Sequence, residues 1–179
     1  PGRRVDDDAQ AWQASSNQPA KEMALAMTCA SICPGDPFFE IIEDAYRVFS
    51  CAKPTDLGVC RRCCMDEAIE ADFFNPDIRA LPLTYVREWF YAAVRSGGIP
   101  KSTWKYLLPR ILEFLAADED VSHGNPEVSL SRFETGNRAN WSAEEWAVLD
   151  RFQRAYLRQQ VYSGKDFIDD VIGMLWLGG

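Results

Sequence analysis

The sequence predicts an all-α protein, an antiparallel helical bundle or a short stack of helical hairpins with about seven helices. Three observations carry that expectation. Apolar residues recur at three- and four-residue spacing along most of the chain. No stretch sustains the two-residue alternation of a half-buried strand. Cap-then-proline pairs and glycines punctuate the apolar runs and leave short links between neighbours. Residues 1–35 read as a weakly structured arm and residues 36–179 as a single helical domain.

Each element has its own grammar. Residues 1–20 hold too few apolar groups to offset the entropy of ordering them. Residues 21–32 spell a short helix with Met23, Ala26, Met27 and Ala30 on one side. Asp36-Pro37 then supplies an N-cap followed by proline at the first helical position, where its missing N–H costs nothing. Phe38, Ile41, Ile42, Ala45, Val48 and Phe49 form the apolar stripe of the helix that follows. Lys53-Pro54-Thr55-Asp56 and Gly58 break the chain. A helix with Met65, Ile69 and Phe73 on one face should end before Asn75-Pro76.

The next helix is expected from Pro82 or Leu83 to Arg95, with Val86, Trp89, Phe90, Ala93 and Val94 inward and Gly97-Gly98 as its stop. Ser102 to Ala117 should follow, carrying Trp104, Leu107, Leu108, Ile111, Leu112 and Leu115. Pro109 inside it removes one backbone donor and is expected to kink it. Asn125-Pro126 opens a shorter helix with Val128, Leu130 and Phe133. Ser142-Ala-Glu-Glu145 is a capping box that starts a helix through Trp146, Leu149, Phe152, Tyr156 and Leu157. Lys165 to Leu177 carries the last apolar stripe, Phe167, Ile168, Val171, Ile172, Leu175 and Trp176.

Composition excludes several classes. Apolar residues make up 47% and charged residues 26%, and there are six Trp and ten Phe, which is the make-up of a packed core. A net charge of −8 repels nucleic-acid backbones and anionic lipid, so neither is expected as a partner. Fourteen of the 19 basic residues are Arg, scattered singly along helical segments as on solvated faces. The apolar run MALAMTCASIC (23–33) is too short to span a bilayer, and it follows a polar, acidic segment unlike a signal peptide. A cytoplasmic location is the expectation.

Six cysteines stand at 29, 33, 51, 60, 63 and 64, all in the N-terminal part. Three readings compete. Cys60-x-x-Cys63 is a normal zinc half-site, completed by Cys51 and Cys64 or, alternatively, by Cys29 and Cys33. Against it, a full amphipathic helix separates the halves, and adjacent Cys63 and Cys64 point at one ion only with difficulty. Cys60 and Cys63 could instead run thiol redox chemistry, with Arg61 and Arg62 favouring a thiolate; Asp66, Glu67 and Glu70 oppose this. In the third reading the cysteines are buried small hydrophobes or disulfides. The remaining chemistry is sparse. His123 stands in a loop, Ser163-Gly164-Lys165 lacks the rest of a phosphate loop, and Glu40, Glu43, Asp44 and Asp166, Asp169, Asp170 read as solvated acidic faces. Trp89, Phe90 and Tyr91 are consecutive, so at least one ring should reach the surface. Trp104, Tyr106 and Trp141 raise the same question.

The order AYRVF (45–49), VCRRCCM (59–65), Leu81-Pro82-Leu83 and YLLPRILEFL (106–115) resembles a family of small bacterial helical proteins. Its most specific element is Val59-Cys60-x-x-Cys63-Cys64. The resemblance implies a helical bacterial protein and no particular reaction, and Cys29 and Cys33 fall outside it. The functional expectation is therefore a protein-interaction module whose cysteine segment is structural, with zinc as its candidate metal. A thiol-dependent redox protein using Cys60 and Cys63, or a metal-dependent enzyme with unidentified ligands, is the alternative.

Overall fold

The computed structural model describes residues 32–60, 64–93, 99–121 and 137–164. Among them there is no strand, and the α-helices are α1 (Phe39–Val48), α2 (Glu67–Asp72), α3 (Leu83–Ala92), α4 (Lys101–Ala116) and α5 (Ala143–Ser163). The all-α expectation therefore holds. Five helices are described against about seven anticipated from periodicity. The helices expected over 21–32, 125–133 and 165–177 lie wholly or mostly outside the described residues, as does most of the 1–35 arm.

Local chemistry explains where each helix starts. Asp36 does not cap α1 directly. Its carboxylate accepts the N–H of Phe38 at 2.8 Å in a tight turn, and the helix begins at Phe39. Asp66 caps α2 by accepting from the N–H groups of Ala68 and Ile69. The capping box of α5 is complete: Ser142 Oγ accepts from the Glu145 N–H at 3.1 Å, and Glu145 accepts from the Ser142 N–H at 2.8 Å. This helix runs on to Ser163, beyond the Leu157 read from sequence. Gly164 ends it in the left-handed region (φ 62°), which glycine enters without a Cβ clash. Helix α4 continues through Pro109, which lies inside it.

Two short 3-10 turns were not foreseen. Asp77 caps Ile78–Ala80, and Asn137 caps Arg138–Asn140, each by accepting a backbone N–H two residues on. Single turns of this kind leave no periodic signature, only the Asx residue that starts them.

Helix α1 packs on both α4 and α5, and α4 packs on α5 and the first 3-10 turn. Ion pairs between Arg47 and Glu144 and between Asp44 and Arg151 show that numbering falls along α1 as it rises along α5, so these two helices are antiparallel. The core is aromatic. Trp89 and Trp104 stack at 5.7 Å, Phe90 meets both edge-on, and Phe38, Phe152 and Tyr156 continue the series toward α5. Trp104, Tyr106 and Trp141 are all buried, and of the Trp89-Phe90-Tyr91 run only Tyr91 reaches solvent, at 67% exposure.

At the centre sits a buried charge cluster. Arg110 is 1% exposed, donates Nε–H to the Leu81 carbonyl at 2.9 Å and pairs with Glu113 at 2.6 Å. Tyr46 donates its hydroxyl to the same Glu113 oxygen at 2.5 Å. Arg79 lies over the Tyr46 ring at 3.9 Å while gripping Glu43 with both arms at 2.7 and 2.8 Å. This network joins α1, the first 3-10 turn and α4. Burial, then the hydrogen bond to Glu113 and after it the Glu113 charge, push the Tyr46 hydroxyl far above its ordinary range.

Candidate functional site

The cysteines come first, because the sequence placed its chemistry there. Cys33 and Cys51 are exposed, and Cys60 and Cys64 are half-buried. Cys29 and Cys63 lie outside the described residues, as does His123. Among the described residues no three or more His, Cys, Asp or Glu side chains gather where they could hold a metal, so Cys51, Cys60 and Cys64 do not form such a group. Cys51 instead lies in the field of Lys105 and Glu145, and burial raises its thiol pKa. Cys60 is not at a helix N-terminus, since α2 begins only at Glu67. Its N–H donates to the Ala92 carbonyl at the C-terminal end of α3, the negative end of the helix dipole.

What holds the cysteine segment is its backbone. The Trp89 indole donates to the Leu57 carbonyl at 2.9 Å, Thr103 Oγ1 donates to the Asp56 carbonyl at 2.6 Å, and Asp56 accepts the Gly58 N–H. Gly58 has φ 68°, and a Cβ there would stand 3.0 Å from the Pro100 ring and 3.2 Å from Ile99. The segment is thus strapped across the end of α3 and the start of α4 by a tryptophan, a threonine and a glycine.

Glu43 and Asp44 on α1 are each engaged in ion pairs. Glu43 meets Arg79, and Asp44 meets Arg151 and Arg47. The Arg151 hydrogen bond, then that of Arg47, holds Asp44 below its usual range. The Asp166, Asp169, Asp170 cluster lies outside the described residues.

A further candidate site lies where the sequence flagged nothing. A groove of about 620 Å3 runs between the start of α1 and the C-terminal half of α5. Asp36, Pro37, Phe38 and Ile41 form one wall; Arg151, Arg154, Ala155, Arg158, Gln159 and Tyr162 form the other. Its geometry follows from helical spacing. Arg151, Arg154 and Arg158 stand at i, i+3 and i+7 and so share one face of α5. Phe152 and Tyr156 point into the core beneath and stack at 5.7 Å, leaving Ala155 as a low point between the arginines. Phe38 packs on Phe152 at 5.6 Å and closes the floor.

Charge and exposure make the groove distinctive. Arg151 is tied to Asp44, and among the described residues Arg154, 72% exposed, reaches Asp150 one turn before it. Among the described residues Arg158 meets no carboxylate within ion-pair distance. Tyr162 is 87% exposed and its neighbour Val161 51%, large apolar surfaces left in water at the groove mouth. An apolar floor with a rim of three arginines and one carboxylate can take a chain segment that carries apolar and acidic side chains together. The signal that could have found it was the Arg151-x-x-Arg154-x-x-x-Arg158 spacing, which a count of scattered basic residues hides.

No family model, no curated protein and no solved structure matches this chain. The functional reading therefore stands on the geometry.

Proposed function

We propose that the chain is a protein-interaction module on a helical-bundle frame, and that it binds a helical segment of acidic, amphipathic character in the groove between α1 and α5. The observation that carries this reading is the arginine-rimmed apolar groove on a chain whose net charge is −8. Such a rim is opposite in sign to the molecule as a whole, so it selects an acidic segment locally while the remaining surface repels acidic partners. Among the described residues no helix is long and apolar enough to cross a membrane. In this reading the chain works in the cytoplasm, is kin to the bacterial helical family its motifs resemble, and acts by binding rather than by catalysis.

The test is fluorescence anisotropy with a labelled helical peptide of about 13 residues, a leucine stripe bordered by aspartates. Binding at roughly 10–100 µM is expected, weakened at least tenfold by Arg158→Glu or by lysines in place of the aspartates. Equal binding of the aspartate and lysine peptides would remove the groove from consideration. The cysteine segment has a structural role in this reading, with zinc held by Cys60 and Cys63 together with the alternative pair Cys29 and Cys33 as reinforcement. Elemental analysis after chelator-free purification should find about one zinc per chain, and its absence ends the metal part alone.

A further inference from the structure

We propose that the partner helix is recognised by its N-terminal turn, which docks at Arg158, Gln159 and Tyr162 and leaves the helix running antiparallel to α5 toward Arg151. The inference rests on the groove reading above and adds which end of the partner is read.

Ala155, Arg158, Gln159 and Tyr162 stand at i, i+3, i+4 and i+7, so they form one continuous stripe of α5 along the groove. Within that stripe Gln159 Oε1 is buried and meets no donor among the described residues. The Gln159 Nε2 donates to the Ala116 carbonyl at 3.4 Å, a long bond that lets the side chain turn its oxygen toward the groove at little cost. On the facing wall, Asp36 spends Oδ1 on the Phe38 N–H and can accept again through its second oxygen. The antiparallel register set by Arg47–Glu144 and Asp44–Arg151 carries Asp36 toward the Arg158 end. Acceptors and a cation therefore meet at one end of the groove. A helix offers the matching set in its first turn, where backbone N–H groups lack partners within the helix and acidic side chains are favoured. Its last turn offers carbonyls instead, and these would face Gln159 and Asp36 acceptor to acceptor. Helix α5 adds to the bias. It ends at Gly164, so the negative end of its dipole stands by Tyr162 and favours the positive end of an arriving helix. Tyr162, 87% exposed, gives the first turn an apolar wall.

Two stapled helical peptides of about 13 residues and one composition separate the ends. One carries its aspartates in the first turn and the other in the last, with equal helicity checked by circular dichroism. In fluorescence anisotropy with the full chain, the first-turn peptide should bind at least tenfold more tightly, and Arg158→Gln should remove most of that preference. An ester oxygen in place of a first-turn N–H breaks no bond inside the helix. It should weaken binding to the unaltered chain at least fivefold and change binding to Gln159→Met by less than twofold. Tighter binding of the last-turn peptide, or an ester penalty equal in the unaltered chain and in Gln159→Met, would overturn the proposal. If both peptides bind equally and Arg158→Glu weakens both, the groove reading survives and the polarity falls. A chain that sediments as a dimer and binds neither peptide has a second copy in the groove, and a monomer that binds neither takes no acidic helix there. Either result overturns both readings.

Discussion

Replacing Arg110 by methionine is the sharpest test of how this fold is held together. The side chain is almost fully buried, and methionine keeps much of its length while removing the charge. The donation to the Leu81 carbonyl, the ion pair with Glu113 and the stacking of the guanidinium 4.2 Å above Phe114 go at once. Glu113 then keeps a nearly buried carboxylate whose remaining hydrogen-bond partner among the described residues is the Tyr46 hydroxyl. Removing one partner of a buried pair costs about 3–5 kcal/mol. In a protein of this size each kcal/mol moves the thermal midpoint about 2–4 °C, so a fall of roughly 8–16 °C is expected for about 4 kcal/mol. Circular dichroism at 222 nm, with heat and with urea, reads it. The triple variant Tyr46→Phe/Arg110→Met/Glu113→Leu removes the stranded charge and should recover most of the loss, because an apolar replacement of a whole buried network is close to neutral. A single-variant loss below about 1 kcal/mol would refute the argument, since it would mean that water already solvates the site. So would a triple variant weaker than the single.

The other predictions follow from the strap and the caps. Gly58→Ala places a Cβ against Pro100 in a left-handed conformation and should destabilise by more than about 1 kcal/mol in urea titration, against a gain if the backbone were ordinary. Trp89→Phe leaves the Leu57 carbonyl without its donor and should cost about 1–3 kcal/mol while raising amide exchange at Gly58 and Cys60. Burial pushes the Glu145 carboxyl up, but the hydrogen bonds from Lys105 and the Ser142 N–H, with the charges of Lys105 and Lys101, outweigh it and hold it below 4.5. Its contribution is therefore complete above pH 4.5 and lost as pH falls through the lower folded value, and Glu145→Gln should flatten that part of the stability profile.

The helices were legible because their signals are repeated or redundant. The stripe Phe38, Ile42, Ala45, Phe49 restates one face several times, and Ser142 with Glu145 encodes a start in two residues that satisfy each other. The tertiary contacts were not legible. Nothing in YLLPRILEFL distinguishes Arg110 from a solvated arginine, since its burial depends on a carbonyl at Leu81 and a hydroxyl at Tyr46 that are distant in sequence. The anchoring of the cysteines was hidden for the same reason. Their spacing in sequence drew attention to sulfur chemistry, while Trp89 and Thr103, far along the chain, supply the contacts that fix their segment. The groove was hidden because both of its walls had to be known before its arginines shared a purpose.

Arginine shows why composition alone could not assign function here. Arg110 spends its charge inside, where the strength of its pair with Glu113 depends on the absence of water. Arg79 and Arg47 spend theirs on neighbouring carboxylates at the surface, where solvent screens the gain. Arg158 stands at the groove without such a carboxylate among the described residues, and its side chain gains most from one supplied by whatever enters. Ionic strength separates these roles. Salt should leave the Arg110 network nearly untouched, because buried charges are screened little. It should weaken an acidic segment at the groove rim, where the arginines remain in contact with water. A stability that held from low to high salt while peptide binding fell would therefore divide one residue type into a scaffold and a recognition surface.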